Sequence, residues 1–283
     1  MAKSLFFYKL DNIRRQVSMH GILIVVSITC IFPLVWMFSS ALKTQQTVFS
    51  DMSLIPSSPQ WQNFILAWTK ANFGTYFFNS LLYTFTVVTG IVLISSLAAF
   101  AFARLQFPGR NILFYLFLAT MMIPIPGAFI ALYVLLMKLG LINTRIGYIL
   151  TQINGGLALG IYLLKTFFEK MPKDLEEAAR IDGCSKLGIY YHIALPLARP
   201  AIAVVVIFNA LAVWSEYLLA MLILSDKSIM PLQRGLMVFQ GAHLTQYPLL
   251  MAGITITVVP IVLIYFLMQK YIISGITAGA VKG

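Results

Sequence analysis

The sequence predicts an all-α, polytopic membrane protein with six transmembrane helices, and three observations predict it. Of the 283 residues, 60% are hydrophobic and only 10% charged, with a mean hydropathy of +0.87, which leaves too few charges to coat a soluble globule of this length. The apolar residues gather into six runs, each near the roughly 20 residues that a helix needs to cross the hydrocarbon core. Lys and Arg collect at the ends of those runs rather than on one soluble face.

The first span is 20–42, preceded by a basic segment, 1–19, with Lys3, Lys9, Arg14 and Arg15. That segment has the form of a signal n-region, and Ser39-Ser40-Ala41 that of a weak cleavage site. The apolar stretch, however, exceeds the roughly 7 to 15 residues of a signal and reads as a retained span. The connection 43–76 follows. Its apolar-aromatic part, 55–78, with Pro56, Pro59, Trp61 and Trp68, reads as an interfacial anchor. Spans 77–103, 111–137 and 146–168 come next, joined by short connections. In the last of these Gln152, Gly155 and Gly156 share a face, and Gly156-x-x-x-Gly160 permits close helix contact. After the connection 169–200 come spans 201–224 and 248–271, separated by the polar segment 225–247 with Asp226, Lys227, Arg234 and His243. Pro33, Pro124, Pro126 and Pro260 fall inside spans, where each disturbs a backbone hydrogen bond and favours a kink. No soluble second domain fits.

With both termini in the cytoplasm, the inner segments hold fourteen Lys and Arg residues and the outer segments six, and positive residues near span ends are retained inside. The connection 169–200 then lies inside and 225–247 outside. A net charge of +11 spread over membrane flanks fits lipid and excludes a nucleic-acid surface, which would concentrate it on a soluble face. Cys30 would sit in hydrocarbon and Cys184 in a reducing compartment, so no disulfide is expected. Neither cysteine stands at a metal-ligand spacing.

The inner connection carries the most specific pattern. Pro172 suits a first helical turn, and Asp174, Glu176 and Glu177 follow where a helix N-terminus favours negative charge. Leu175, Ala178, Ala179 and Asp182 share a shallow face, and Gly183 supplies a left-handed end. Ser185 can cap a second helix, in which Leu187, Tyr190, Tyr191 and Ala194 recur with helical spacing before Leu195-Pro196 stops it. Asp182 either caps that second helix or pairs with Arg180. The expectation is a helix-turn-helix on the cytoplasmic membrane face. Alanines and carboxylates there, instead of large apolar residues opposite a basic face, distinguish it from a loop resting on lipid.

Glu177-Ala178-Ala179, then Gly183 after three residues, then Ile193, Leu195 and Pro196 after nine more, resemble the EAA motif of the transmembrane subunits of bacterial ATP-binding-cassette importers. Cys184 stands where alanine is common in that family and Tyr190 where phenylalanine is common. Over nearly the whole length the chain resembles the maltose-type carbohydrate permeases. The resemblance is carried by Phe32-Pro33-Leu34, residues 39–43, residues 208–219 with Trp214-Ser215-Glu216, Pro231-Leu232, and the ending 275–283. It implies a type I importer fold, with a permease domain over 20–273 and a coupling loop over 169–200. It implies that Glu177, Ala178, Ala179, Asp182, Gly183, Ile193, Leu195 and Pro196 dock on an ATPase, and that a cytoplasmic tail, 274–283, also contacts the ATPases.

No G-x-x-x-x-G-K-[ST] loop is present, so this chain has no recognisable ATP site and no cofactor of its own. The resemblance implies two separate ATPase subunits holding ATP and Mg, a second homologous permease, and an extracytoplasmic sugar-binding protein that the segment 225–247 would meet. It places the whole in a bacterial cell membrane.

For the substrate path, Glu216 is the one acidic residue inside a predicted span, and Asn209, seven residues earlier, falls nearly on its helical face, about 10 Å away. Trp214 is their aromatic neighbour in the sequence but points elsewhere on the helix. The alternative is that Asn209 and Glu216 simply hydrogen-bond adjacent spans. An ion-coupled secondary transporter would show an internal repeat and ion-coordinating groups near the midplane, and none is evident. A membrane enzyme would need a catalytic constellation, whereas His20, His192 and His243 are scattered and no H-E-x-x-H occurs. Permeases for non-sugar substrates share an EAA-type loop and remain the alternative within the importers.

Overall fold

The computed structural model describes the backbone of residues 2–70, 72–122, 125–241 and 245–280, and the side chains of residues 15–70, 72–122, 128–241, 245–266 and 269. The principal helices are α1 (Ala2–Ala41), α2 (Gln62–Lys70), α3 (Phe73–Arg104), α4 (Arg110–Met122), α5 (Ile125–Lys138), α6 (Arg145–Lys170) and α7 (Lys173–Ile181). They continue with α8 (Lys186–Ile189), α9 (Leu195–Leu197), α10 (Arg199–Trp214), α11 (Leu218–Ile223), α12 (Leu232–Gly235) and α13 (Tyr247–Ala280). The chain divides into two compact units, Met1–Ala71 with Val238–Ile256, and Asn72–Met237 with Thr257–Gly283.

In the first unit the C-terminal end of α1 is fastened by side chains. Asn63 Nδ2 donates to the carbonyls of Ala41 and Lys43 at 2.8 and 2.9 Å, supplying partners that a helix end lacks. Lys43 is buried, donates to the Asp51 carbonyl, and lies 4.8 Å from the Trp36 ring centroid. Phe38, Trp61 and Phe64 form an aromatic cluster at the start of α2. Pro33 lies inside α1 without ending it.

The second unit is built on α3 and α6, which pack along each other, with α10 across both. Small residues set how closely they approach. A Cβ at Gly156 would fall 2.3 Å from both Asn209 Oδ1 and Ile91 Cδ1, one at Gly160 would fall 2.8 Å from Ser95 Oγ, and one at Gly90 would fall 2.6 Å from Ile153 Cδ1. The Gly156-x-x-x-Gly160 pair therefore does what its spacing suggested, and Gly156 serves two neighbours at once.

Among the described residues, Arg15–Ala41, Phe73–Arg104, Arg145–Lys170 and Tyr247–Phe266 are long and apolar enough to cross a membrane. A fifth span results if Lys186–Leu197 and Arg199–Trp214, bent by 73°, count as one. Two expected spans differ from the sequence reading. The stretch 111–137 is two helices of 13 and 14 residues, α4 and α5. Pro124 lies outside the described residues, and Pro126 occupies the first turn of α5, where a missing N–H has no intrahelical partner to lose. The stretch 201–224 is also interrupted, because α10 ends at Trp214 and the chain becomes helical again only at Leu218.

Candidate functional site

The segment 171–198 forms an elbow whose turns are each fixed by local chemistry. Asp174 and Glu176 occupy the first turn of α7. The helix ends in a Schellman turn: the Gly183 N–H donates to the Arg180 carbonyl at 3.0 Å, the Cys184 N–H donates to the Ala179 carbonyl at 2.9 Å, and Gly183 has φ +78°. Ser185 Oγ then accepts from the Gly188 N–H at 3.1 Å and caps α8. Ser185, not Asp182, thus starts the second helix. The described ion pairs are Arg104–Glu176 and Lys165–Glu169, so Asp182 is an exposed C-cap outside both.

Leu195-Pro196 does not stop the second helix. Residues Tyr190–Ala194 form a π turn, with the Leu195 N–H donating to the Tyr190 carbonyl, and α9 carries the chain past Pro196. Proline lacks the donor for a regular α bond and its ring would strike the carbonyl four residues back, so the wider turn accommodates it. At Ala198 the path then bends by 73° into α10.

The buried face of the second helix differs from the expected one: Ile189, Tyr190 and Ala194 are inside, while Leu187 and Tyr191 are outside. On α7 the expected face is split: Glu176 and Ala179 turn inward, and Leu175, Glu177, Ala178 and Asp182 stay exposed. Ile193 and Leu195 are partly exposed and Pro196 is exposed. The elbow therefore offers an open surface in which carboxylates flank apolar side chains, with Ile181 at 86% exposure and Leu187 at 63%.

What splits the α7 face is a pair that the spacing did not reveal. Arg104 Nε lies 2.9 Å from Glu176 Oε1, with both side chains more than nine-tenths buried, and Arg104 Nη2 donates to the Met171 carbonyl at 2.6 Å. One turn back, Phe100 packs on Phe168 and Tyr190, with ring centroids 5.8 and 5.4 Å apart. A further turn back, Ser96 Oγ and the Tyr190 hydroxyl are 2.7 Å apart in a buried hydrogen bond. The available signal was an arginine ending an apolar span and the doubled Glu176-Glu177, of which only the second belongs to the expected motif.

At the other end of α3, Asn79 Nδ2 donates to the carbonyls of Ser228 and Met230 at 2.8 and 3.0 Å, and Asn79 Oδ1 accepts from Arg145 at 3.1 Å. The Tyr83 hydroxyl donates to the Ile229 carbonyl at 2.6 Å, and Ser80 Oγ accepts from the Leu232 N–H at 2.8 Å. Asp226 Oδ1 accepts from the Ser228 N–H, which holds its carboxyl below the usual range. His243 lies outside the described residues.

The residues considered for a substrate path do not converge. Asn209 is buried, donates to the Val205 carbonyl of its own helix at 2.8 Å, and covers Gly156. Trp214 is buried, with Nε1 donating to the Thr257 carbonyl at 3.1 Å and its ring edge-on to Phe77. It lines an apolar cavity of about 620 Å³ with Val88, Ala210 and Pro260. Glu216 lies beyond the end of α10, so the helical register linking it to Asn209 is broken. Its carboxylate accepts from the N–H groups of Leu219 and Ala220, beginning α11, and from the Tyr148 hydroxyl at 3.1 Å, to which Gln152 also donates.

Residues 90–278 match the family of binding-protein-dependent transport system inner membrane components. The chain belongs to this family. The match takes in the elbow and most of the second unit. Among its relatives, the diacetylchitobiose uptake system permease protein of Streptomyces coelicolor is 33% identical over 265 residues, covering 93% of this chain and 88% of the relative. The trehalose/maltose transport system permease protein of Thermococcus litoralis is 33% identical over 263 residues, with 92% and 94% covered. A crystal structure of a bacterial transporter that imports the acidic polysaccharide alginate shares the fold, with a TM-score of 0.78, 24% identity, and coverage of 90% of this chain and 95% of that one.

Proposed function

We propose that this chain is the membrane-spanning permease subunit of an ATP-driven, binding-protein-dependent importer of an oligosaccharide, itself without enzymatic activity. Support for a carbohydrate comes from relatives named for diacetylchitobiose, arabinooligosaccharides, and trehalose and maltose. The observation that carries the coupling is the elbow: a turn capped by Gly183 and Ser185 that exposes Glu177, Ala178, Asp182 and Ile181 to a partner while Ala179 and Glu176 seat it on the helices behind. Two ATPase subunits would bind ATP and Mg and dock there, a homologous permease would complete the pathway, and an extracytoplasmic binding protein would deliver the sugar. In this reading α4 and α5 together make one span, α10 and α11 another, and both termini and the elbow are cytoplasmic in a bacterial cell membrane. The backbone is helical to Ala280, so the tail that would contact the ATPases begins as a helix, and Lys282 lies outside the described residues.

ATP-driven closure of the ATPase pair would displace the elbow and shift the spans fixed to it between inward-open and outward-open populations. Co-purification of an ATPase and vanadate-sensitive uptake of oligosaccharide in vesicles are expected. Uptake that follows an ion gradient and ignores vanadate would overturn the reading.

A further inference from the structure

We propose that α3 is the rod that carries motion between the elbow and the outer segment 225–232, held at one end by Ser96, Phe100 and Arg104 and at the other by Asn79, Ser80 and Tyr83. This rests on the elbow being the element that an ATPase drives. The inner residues recur every fourth position and so form one stripe on the helix. That stripe meets the elbow at Tyr190, Met171 and Glu176, and the end of α6 just before it at Phe168. The outer residues grip backbone rather than side chains: three carbonyls and one N–H of the segment 228–232 are satisfied from α3. Between Asn79 and Arg104 the helix is unbroken and free of proline, a reach of about 38 Å at 1.5 Å per residue.

The two grips differ in kind, and both resist sliding. A one-residue slip of α3 would rotate the stripe by about 100°, taking Arg104 away from a buried carboxylate and leaving both charges uncompensated. At the outer end, residues 228–230 have no helix or strand of their own to satisfy their carbonyls, so their path follows Asn79 and Tyr83. A displacement of the elbow therefore arrives at the outer segment through α3 without loss, in addition to whatever passes along the covalent chain through α6.

Spin labels at Phe78→Cys and Lys173→Cys, both exposed sites, in a Cys30→Ser, Cys184→Ala background report the distance from the outer end of α3 to the elbow. Double electron–electron resonance is measured on the complex purified with its ATPase subunits, nucleotide-free and trapped with ATP and vanadate. The expected result is one narrow distance peak that does not move on trapping. Arg104→Met should broaden the peak and shift it on trapping, the exchange Arg104→Glu with Glu176→Arg should narrow it again, and Tyr190→Phe should broaden it to a smaller degree. A wild-type peak that moves on trapping overturns the rod, as do Arg104→Met and Tyr190→Phe peaks as narrow as the wild type. If no ATPase co-purifies, the coupling reading fails instead, and peak width in the nucleotide-free chain still decides whether α3 is clamped.

Discussion

Gly183 can be replaced in a series that separates backbone strain from bulk, because the structure assigns the two different weights. Its φ of +78° is in the left-handed region, and an ideal Cβ built there meets no heavy atom within 4 Å. Alanine therefore adds no clash, only the cost of about 1–2 kcal/mol that a β-carbon brings to that conformation. A cost of that size lowers the population of the Schellman turn by about 5- to 30-fold relative to alternatives. Asparagine is larger than alanine but visits the left-handed region more readily, and valine is worst placed of all. The expected order of substrate-stimulated ATPase activity in the reconstituted complex is Gly, Asn, Ala, Val. Membrane insertion should stay constant, since the turn carries no part of a span. A loss ordered by size, with asparagine below alanine, would refute this account of the turn and point to a partner filling the space beside Gly183.

Gly156→Ala places a methyl group against Asn209 and Ile91, and overpacking of this kind costs about 1–3 kcal/mol, so the thermal midpoint of the purified complex should fall. Adding Asn209→Ala should recover part of that loss, and no recovery would mean that the two side chains do not meet. Glu216→Ala removes the carboxylate that begins α11, at a cost of about 0.5–2 kcal/mol, while Glu216→Gln keeps an acceptor. If the carboxylate serves only to begin α11, both should leave the KM for transported oligosaccharide unchanged, and a raised KM at constant thermal midpoint would place Glu216 on the substrate path. Deleting residues 275–283 should lower uptake more than recovery of the assembled complex, and unchanged uptake would remove the tail from the coupling surface.

The long helices and the elbow were legible for different reasons. Spans expected at 77–103 and 146–168 are the centres of Phe73–Arg104 and Arg145–Lys170, because an unbroken apolar run leaves few alternatives in hydrocarbon. Gly183 and Ser185 were legible because caps act within a few residues, so the short-range pattern holds the whole cause. The break after Trp214 was hidden because Glu216 joins α11 through its carboxylate, a side-chain bond that an average over hydropathy passes over. The π turn was hidden likewise: its cause is Pro196, and proline signals a helix end far more often than a widened turn. The Arg104–Glu176 pair was invisible because its partners are far apart along the chain, and each has an innocent local reading, one as a flank charge and the other as a first-turn acid.

The burial of Arg104 bears on the orientation we propose, since that rests on counting arginines and lysines at span ends. Arg104 is consumed by Glu176 and the Met171 carbonyl, and Arg145 on the opposite side donates to Asn79, so neither is simply a solvated flank charge. Removing Arg104 from the fourteen and Arg145 from the six leaves thirteen against five, and the sign of the bias is unchanged. The bias acts while spans are being inserted, before distant partners can meet, and at that stage Arg104 is still a bare charge after an apolar run. Only when the elbow docks does Glu176 cover it. In the orientation we propose, one side chain would thus serve first to retain the end of α3 in the cytoplasm and then to fasten that end to the elbow. A substitution that removes the charge should disturb the clamp far more than the topology, because thirteen other inner charges remain to set the orientation.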